Sequence, residues 1–346
     1  MTIRREHPVS QLDRRSLLRA AGLLVGGAGA TALLAACGRD EPATAGTGGP
    51  LRAKVQPRSP GTAGAIRDSV VEQFGLEAKH RLSLDRKAGG GPGAGQEQLL
   101  TGVLDIYAFG PLGATEVNTS GHDIVIVGPS LWNHGSWIVP ADSPYRTVAD
   151  LKGRKVGVQP PSSDTYRAAA LASAVNGIDF AREYRLFTGQ PIANLALYER
   201  GDLDAIIAIE PNATRLVAKG NRQLASVSEL WQRGTGDRSP LFLNGTAVRR
   251  DWLAANRETA KAYVDLTAEA WRLIKEDPTL TARYHADYGI PADEKKAIEL
   301  LPSRLVPVYG DVWDDTVFAN IDKQIDVALE AGVLKRRADR PVYEKL

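Results

Sequence analysis

The sequence predicts an α/β fold in two lobes, and three observations carry that prediction. From Leu51 onward, short β-type runs alternate with helical patterns, which favours largely parallel sheets. The stretch GVLDIYAFGPLGATEV, from Gly102, is echoed by GDLDAIIAIEPNATRL, from Gly201. At this constant offset of 99 residues, Gly, Leu, Asp, Ala and Thr coincide, and each copy reads as helix end, strand, turn and new helix. Common α/β grammar would produce such an echo. So would two similar lobes, each presenting a strand-to-helix turn at the carboxyl end of a strand, where open α/β sheets bind ligands. Finally, 346 residues with 43% apolar content suffice for two domains and a sizeable core.

The chain opens on a different pattern. Paired Arg14 and Arg15 precede Leu17 and Leu18, followed by an apolar Gly/Ala-rich run that ends at Cys37, the single cysteine. A basic segment, an apolar stretch and small residues before a cut site describe a secretory signal rather than a spanning helix. The arginine pair resembles a twin-arginine export signal. Leu34-Ala35-Ala36-Cys37 resembles the bacterial lipobox, in which the cysteine is acylated and becomes the new N-terminus. Residues 1–36 are therefore expected to be a signal peptide and residues 37–50 a Gly/Pro-rich tether. The discarded segment carries a net +3 against +2 for the whole chain, leaving the remainder at −1. That balance removes any electrostatic case for nucleic-acid binding.

In the body, strands are expected at 51–56, 81–85, 104–109, 123–128, 136–140, 155–159, 205–209 and 241–248. Asn256 is placed to cap a helix that carries Ala260, Tyr263, Val264, Ala270, Trp271 and Ile274 and stops at Pro278. A second helix groups Phe318, Ile321, Ile325, Ala328 and Leu329 and stops at Gly332. One cysteine excludes an internal disulfide, and the five histidines show no metal-ligand spacing. No base–nucleophile motif is visible. The run AGGGPGAGQ lacks the Gly-Lys-Ser/Thr ending of a phosphate loop. No cofactor is expected.

Residues 136–171 resemble the second-lobe entry of the nitrate/sulfonate/taurine family of substrate-binding proteins for ABC importers. The resemblance rests on Val139-Pro140, then Asp142-Ser143-Pro144, Asp150-Leu151-Lys152-Gly153, a strand, and the turn Ser162-Ser163-Asp164-Thr165. The segment 197–220, with Gly201-Asp202 and Glu210-Pro211, is similar to a later family element. The resemblance implies a type 2 periplasmic-binding-protein fold with a ligand cleft between its lobes. Lobe 1 would comprise 51–138 and 241–346, lobe 2 would comprise 139–240, and hinges would lie near Trp137–Pro140 and Leu241–Asn244. It further implies a non-catalytic, monomeric, extracytoplasmic lipoprotein that delivers a small organic solute to an ABC permease. It would be held at the outer face of the membrane by lipid on Cys37. A sulfonate or related small anion is favoured. A nitrogen heterocycle or aromatic acid, or an enzyme on the same scaffold, remains the alternative.

Candidate ligand contacts follow from local chemistry. Ser162, Ser163 and Thr165 gather hydroxyls and free N–H groups at a helix start, where anions bind. Asp164 in the same turn already partly supplies the negative charge such a helix start attracts. Arg58, beside Ser59 after the first strand, has the fork that grips an oxyanion. Gly110 and Pro111 allow backbone to approach a ligand, and Glu210 stands at the equivalent turn of the other lobe. Asn133, in the cluster Trp132-Asn133-His134 ahead of Trp137, and Asn244 sit near the expected hinges. For each, a purely structural role (cap, turn, solvated charge or packed seam) is the competing reading.

Overall fold

The computed structural model describes residues 49–91 and 93–346. Arg14, Arg15 and Cys37 lie outside them. Ten strands form two five-stranded sheets. The first contains β1 (Leu51–Val55), β2 (Leu82–Arg86), β3 (Ile106–Phe109), β4 (Ile124–Trp132) and β10 (Phe242–Arg249), ordered β2-β1-β3-β10-β4. The second contains β5 (Ser136–Val139), β6 (Lys155–Val158), β7 (Arg185–Thr188), β8 (Ala205–Ala208) and β9 (Arg222–Ser226), ordered β7-β6-β8-β5-β9.

The two orders are the same plan used twice. In the first sheet, β1 pairs parallel with β2 and β3, and β10 runs antiparallel between β3 and β4. In the second, β6 pairs parallel with β7 and β8, and β5 runs antiparallel between β8 and β9. Each sheet is thus mixed rather than wholly parallel. The odd strand is the one that enters from the other sheet, so no crossover from a neighbour in its own sheet makes it parallel.

The 99-residue echo has a physical basis in this plan. Gly102 and Gly201 both adopt positive φ, +79° and +81°, the left-handed backbone that follows a helix end. Three residues on, Asp105 accepts the Lys54 amide and Asp204 accepts the Lys155 amide, each at 2.8 Å. Their own amides return bonds to the Lys54 and Lys155 carbonyls, each at 2.9 Å. The repeated Gly-x-Leu-Asp is the clasp that ties β3 to β1 in the first sheet and β8 to β6 in the second.

All eight expected strands are present, within a few residues at their ends. The two that escaped prediction, β7 and β9, are the edges of the second sheet. Only one residue between them, Ala225, is fully buried, so neither has the apolar alternation that marks a strand. The long helices Arg257–Glu276 and Asp315–Glu330 also form. Asn256 precedes the first of them but does not cap it with its side chain; its amide nitrogen donates instead to the Trp252 carbonyl at 2.9 Å.

The chain crosses between sheets at 133–135 and again at 236–241, after the helix Val227–Thr235. The first point precedes the hinge placed near Trp137–Pro140, because β5 is paired from Ser136; the second runs up to Leu241, where the other hinge begins, because β10 is paired from Phe242. The crossings are bonded to each other through the Asn133 amide and the Leu241 carbonyl, 2.7 Å. Trp137 is fully buried against Phe180 and Tyr184, with ring centroids 6.0 and 5.1 Å away. Trp271 stacks on Tyr309 at 4.5 Å. Among the described residues, no helix is long and apolar enough to cross a membrane.

Candidate functional site

A cavity of about 80 Å³ lies between the lobes, walled by the residues that leave the carboxyl ends of the parallel strands. Gln56, Pro57, Arg58 and Ser59 follow β1, Ser163, Asp164 and Thr165 lie beyond β6, and Ile209 follows β8. Leu243 and Asn244 come in from the start of antiparallel β10, at the same end of the sheet. His134, in the first crossing, Tyr107 of β3 and Gln96 of the helix Ala94–Leu100 also line it.

Arg58 is the electrostatic centre. Its stem runs over Gly64, where a Cβ would sit 3.3 Å from Arg58 Cδ, so the glycine leaves the arginine its path. Its backbone amide donates to Asp68 at 3.3 Å, but its guanidinium has no partner among the described residues. Asp68 is engaged by Arg67, which is 1% exposed and also donates to the Tyr263 hydroxyl. Burial, and then the charge of Arg67, push the Arg58 pKa down from its usual value. An arginine remains charged under that pressure. The cavity therefore presents an unpaired cation, a strong site for a planar or tetrahedral oxyanion.

Asp164 faces the same cavity from the second lobe but is already occupied. It accepts from Gln96 Nε2 at 2.9 Å, from Asn244 Nδ2 at 3.2 Å and from the Gly110 amide. All three donors belong to the first-sheet side, so Asp164 joins the lobes. Burial raises its pKa, opposed chiefly by Arg167. Arg167 spans the same seam, reaching Glu116 at 2.9 Å and the Gln96 side chain at 3.3 Å.

Five of the ten predicted contacts line the cavity: Arg58, Ser59, Ser163, Thr165 and Asn244. Ser163 also caps the helix Asp164–Ala174, accepting the Tyr166 amide at 3.2 Å. The other five lie elsewhere. Gly110 and Pro111 begin the helix Pro111–Thr119, and Gly110 is pressed so closely that a Cβ would meet the Leu243 carbonyl at 2.5 Å and Asp164 Oδ1 at 2.9 Å. Its small size lets the two lobes meet there. Ser162 is likewise a seam residue, its hydroxyl 2.5 Å from where a Gly93 Cβ would stand. Asn133 folds its Oδ1 back onto the Gly135 amide at 3.1 Å. Glu210 is buried and filled: it accepts the Thr214 amide at 3.0 Å and Arg304 at 2.7 and 2.9 Å. Neither Trp132 nor Trp137 lines the cavity.

Gln56, Tyr107 and Gln96 were not anticipated. A signal for Gln56 did exist, since β1 and β6 both end in Val-Gln-Pro, at Val55-Gln56-Pro57 and Val158-Gln159-Pro160. Among the described residues, no group of three or more His, Cys, Asp or Glu side chains is placed to hold a metal ion.

Comparison with known proteins places this geometry in a family. Residues 93–287 match the profile of the NMT1-like family. Solved structures share the fold at low identity. The alkanesulfonate-binding protein SsuA of Xanthomonas axonopodis pv. citri, bound to MOPS, is 19% identical, with a TM-score of 0.69 over 86% of this chain and 100% of that one. The periplasmic aliphatic sulphonate binding protein SsuA of Escherichia coli is 20% identical, with a TM-score of 0.63 over 86% and 94%. The periplasmic nitrate-binding protein NrtA of Synechocystis PCC 6803 is 15% identical, with a TM-score of 0.61 over 82% of each chain. No curated protein matches the chain in sequence.

Proposed function

We propose that this chain, which belongs to the NMT1-like family, is an extracytoplasmic solute receptor that closes its lobes on a small organic acid and presents it to an ABC permease. The observation that carries the proposal is the unpartnered Arg58 guanidinium in a cavity walled by both lobes. A half-buried cation with no ion-pair partner is incompletely solvated, and a ligand oxyanion supplies the missing charge. Closure by hinge motion brings the Ser163–Thr165 helix start against the ligand held on Arg58. The sulfonate- and nitrate-binding proteins that share the fold support a small anion as cargo.

Acylation of Cys37 would hold a monomeric receptor beside its transporter. Two or more acyl chains suffice for stable anchoring where one does not. A Cys37→Ser chain should move from the membrane fraction to the soluble fraction of the cell envelope.

The direct test is a thermal-shift titration of the purified protein with alkanesulfonates, carboxylates, nitrate, aromatic acids and pyrimidines. A ligand that binds only the folded state raises stability by about 2.7 kcal/mol at a hundred times its dissociation constant. A saturable shift with a small acid, recovered unchanged, is the expected result. Consumption of the compound would favour an enzyme. A shift with a neutral heterocycle alone would overturn the anion assignment.

A further inference from the structure

Three acceptors around the cavity have nothing to accept. Asn244 donates its amide nitrogen to Asp164, and because a carboxylate only accepts, that bond fixes which way the amide faces. Its Oδ1 is left buried with no partner. His134 is oriented by the same logic. Its Nδ1 lies 2.9 Å from the Trp132 carbonyl, so Nδ1 carries the proton and Nε2 is a bare lone pair. The ring is 7% exposed, and burial holds it neutral. Gln56 is 5% exposed, and with no hydrogen bond to fix its side-chain amide it is free to turn Oε1, buried without a partner, toward a donor.

Against these stands Arg58 as the free cationic donor. Arg58 and Asp164 are the charged side chains of the lining, so the cavity before binding is close to neutral. A plain alkyl anion would answer Arg58, strand the three acceptors and leave Asp164 repelling it. A solute with hydrogen-bond donors would pair the acceptors as well. Pairing a buried acceptor is worth roughly ten- to a hundredfold in affinity relative to leaving it bare. Sites built to hydrogen-bond a ligand reject the analogue that lacks the group.

We propose that the cavity selects a solute that carries N–H or O–H donors as well as an acid group, and that Asn244 Oδ1, His134 Nε2 and Gln56 Oε1 are the atoms that read those donors. This rests on the receptor reading above and narrows its cargo.

The test is calorimetric titration of the full chain with two matched sets of probes. One is ethanesulfonate, 2-hydroxyethanesulfonate and 2-aminoethanesulfonate. The other is propionate, 3-hydroxypropionate and 3-aminopropionate. In at least one set, a donor-bearing probe should bind at least tenfold more tightly than its parent. Asn244→Leu and Gln56→Leu should each shrink that ratio severalfold. The Gln56 side chain makes no hydrogen bond among the described residues, so its variant leaves no polar partner stranded and keeps the test open if Asn244→Leu fails to fold. Parents that bind as tightly as their donor-bearing analogues, or a ratio unchanged in both variants, would overturn the inference while leaving the receptor reading intact. Binding by none of the six probes would remove both.

Discussion

Replacing Arg304 by Ala leaves Glu210 as a buried carboxylate that retains only its bonds to Thr214. Glu210 is about 4% exposed and accepts from Arg304 through two nitrogens, at 2.7 and 2.9 Å, and from the Thr214 amide at 3.0 Å. Removing one partner of a buried pair costs about 3–5 kcal/mol. Arg304 is itself 25% exposed, which admits water and puts the expectation near the lower figure, about 3 kcal/mol. Burial already raises the Glu210 pKa, and Arg304 is the main force opposing that rise. In the variant, the folded-state pKa climbs further. An acid with a raised folded pKa destabilises the fold above its unfolded value and ceases to do so below it. The gap between variant and parent should therefore be widest at high pH and close as pH falls to the parent's folded-state value, which burial holds above the ordinary carboxylate range. Urea unfolding at pH 7.5, 6 and 4.5, with Glu210→Gln/Arg304→Ala alongside, reads all of this. The double variant should regain most of the lost stability, because a neutral amide needs no counter-charge. A loss below about 0.5 kcal/mol, or one independent of pH and not relieved by Glu210→Gln, would refute the reasoning.

Three further outcomes are expected. Arg58→Ala should weaken binding of an acidic ligand by about 2–5 kcal/mol while leaving the midpoint of ligand-free unfolding level or higher, because its guanidinium supports nothing in the fold; titration calorimetry and thermal unfolding separate the two. His134, held neutral with its pKa pushed down to about 4 by burial, binds a proton more readily when unfolded or exposed. Stability should thus be full above pH 6.5 and fall as pH drops toward 4, by up to about 3 kcal/mol, and His134→Gln should flatten that slope in unfolding measured across this window. Gly110→Ala must displace the Leu243 carbonyl and Asp164 and should cost about 1–3 kcal/mol in urea, although its φ of −88° is open to any residue.

How far the site could be read from sequence depended on whether a residue acts through its own strand or through a contact from the other lobe. Arg58, Ser163 and Thr165 were legible because strand ends and helix starts are local features, and local chemistry says what gathers there. Glu210 looked equally available, yet Arg304, 94 residues later in the chain, takes it. Asp164 read as the cap-side acid of one helix; its actual donors are Gln96, Asn244 and Gly110, supplied when two lobes meet. The tautomer of His134 and the facing of Asn244 follow from bonds that no spacing rule encodes.

By itself, the sequence determined the α/β class, the eight strands with apolar or alternating cores, and the doubled strand–turn–helix unit whose Gly-x-Leu-Asp clasp recurs after 99 residues. These are set by interactions within or next to a single element, where periodicity and backbone geometry leave a trace. The tertiary structure alone decided which edges become β7 and β9, where the chain crosses between sheets, and which polar groups are spent at the seam rather than left for a ligand. Those outcomes depend on which surfaces come together across long stretches of chain. The burial that makes a charge costly or a hydrogen bond decisive exists only once they have met.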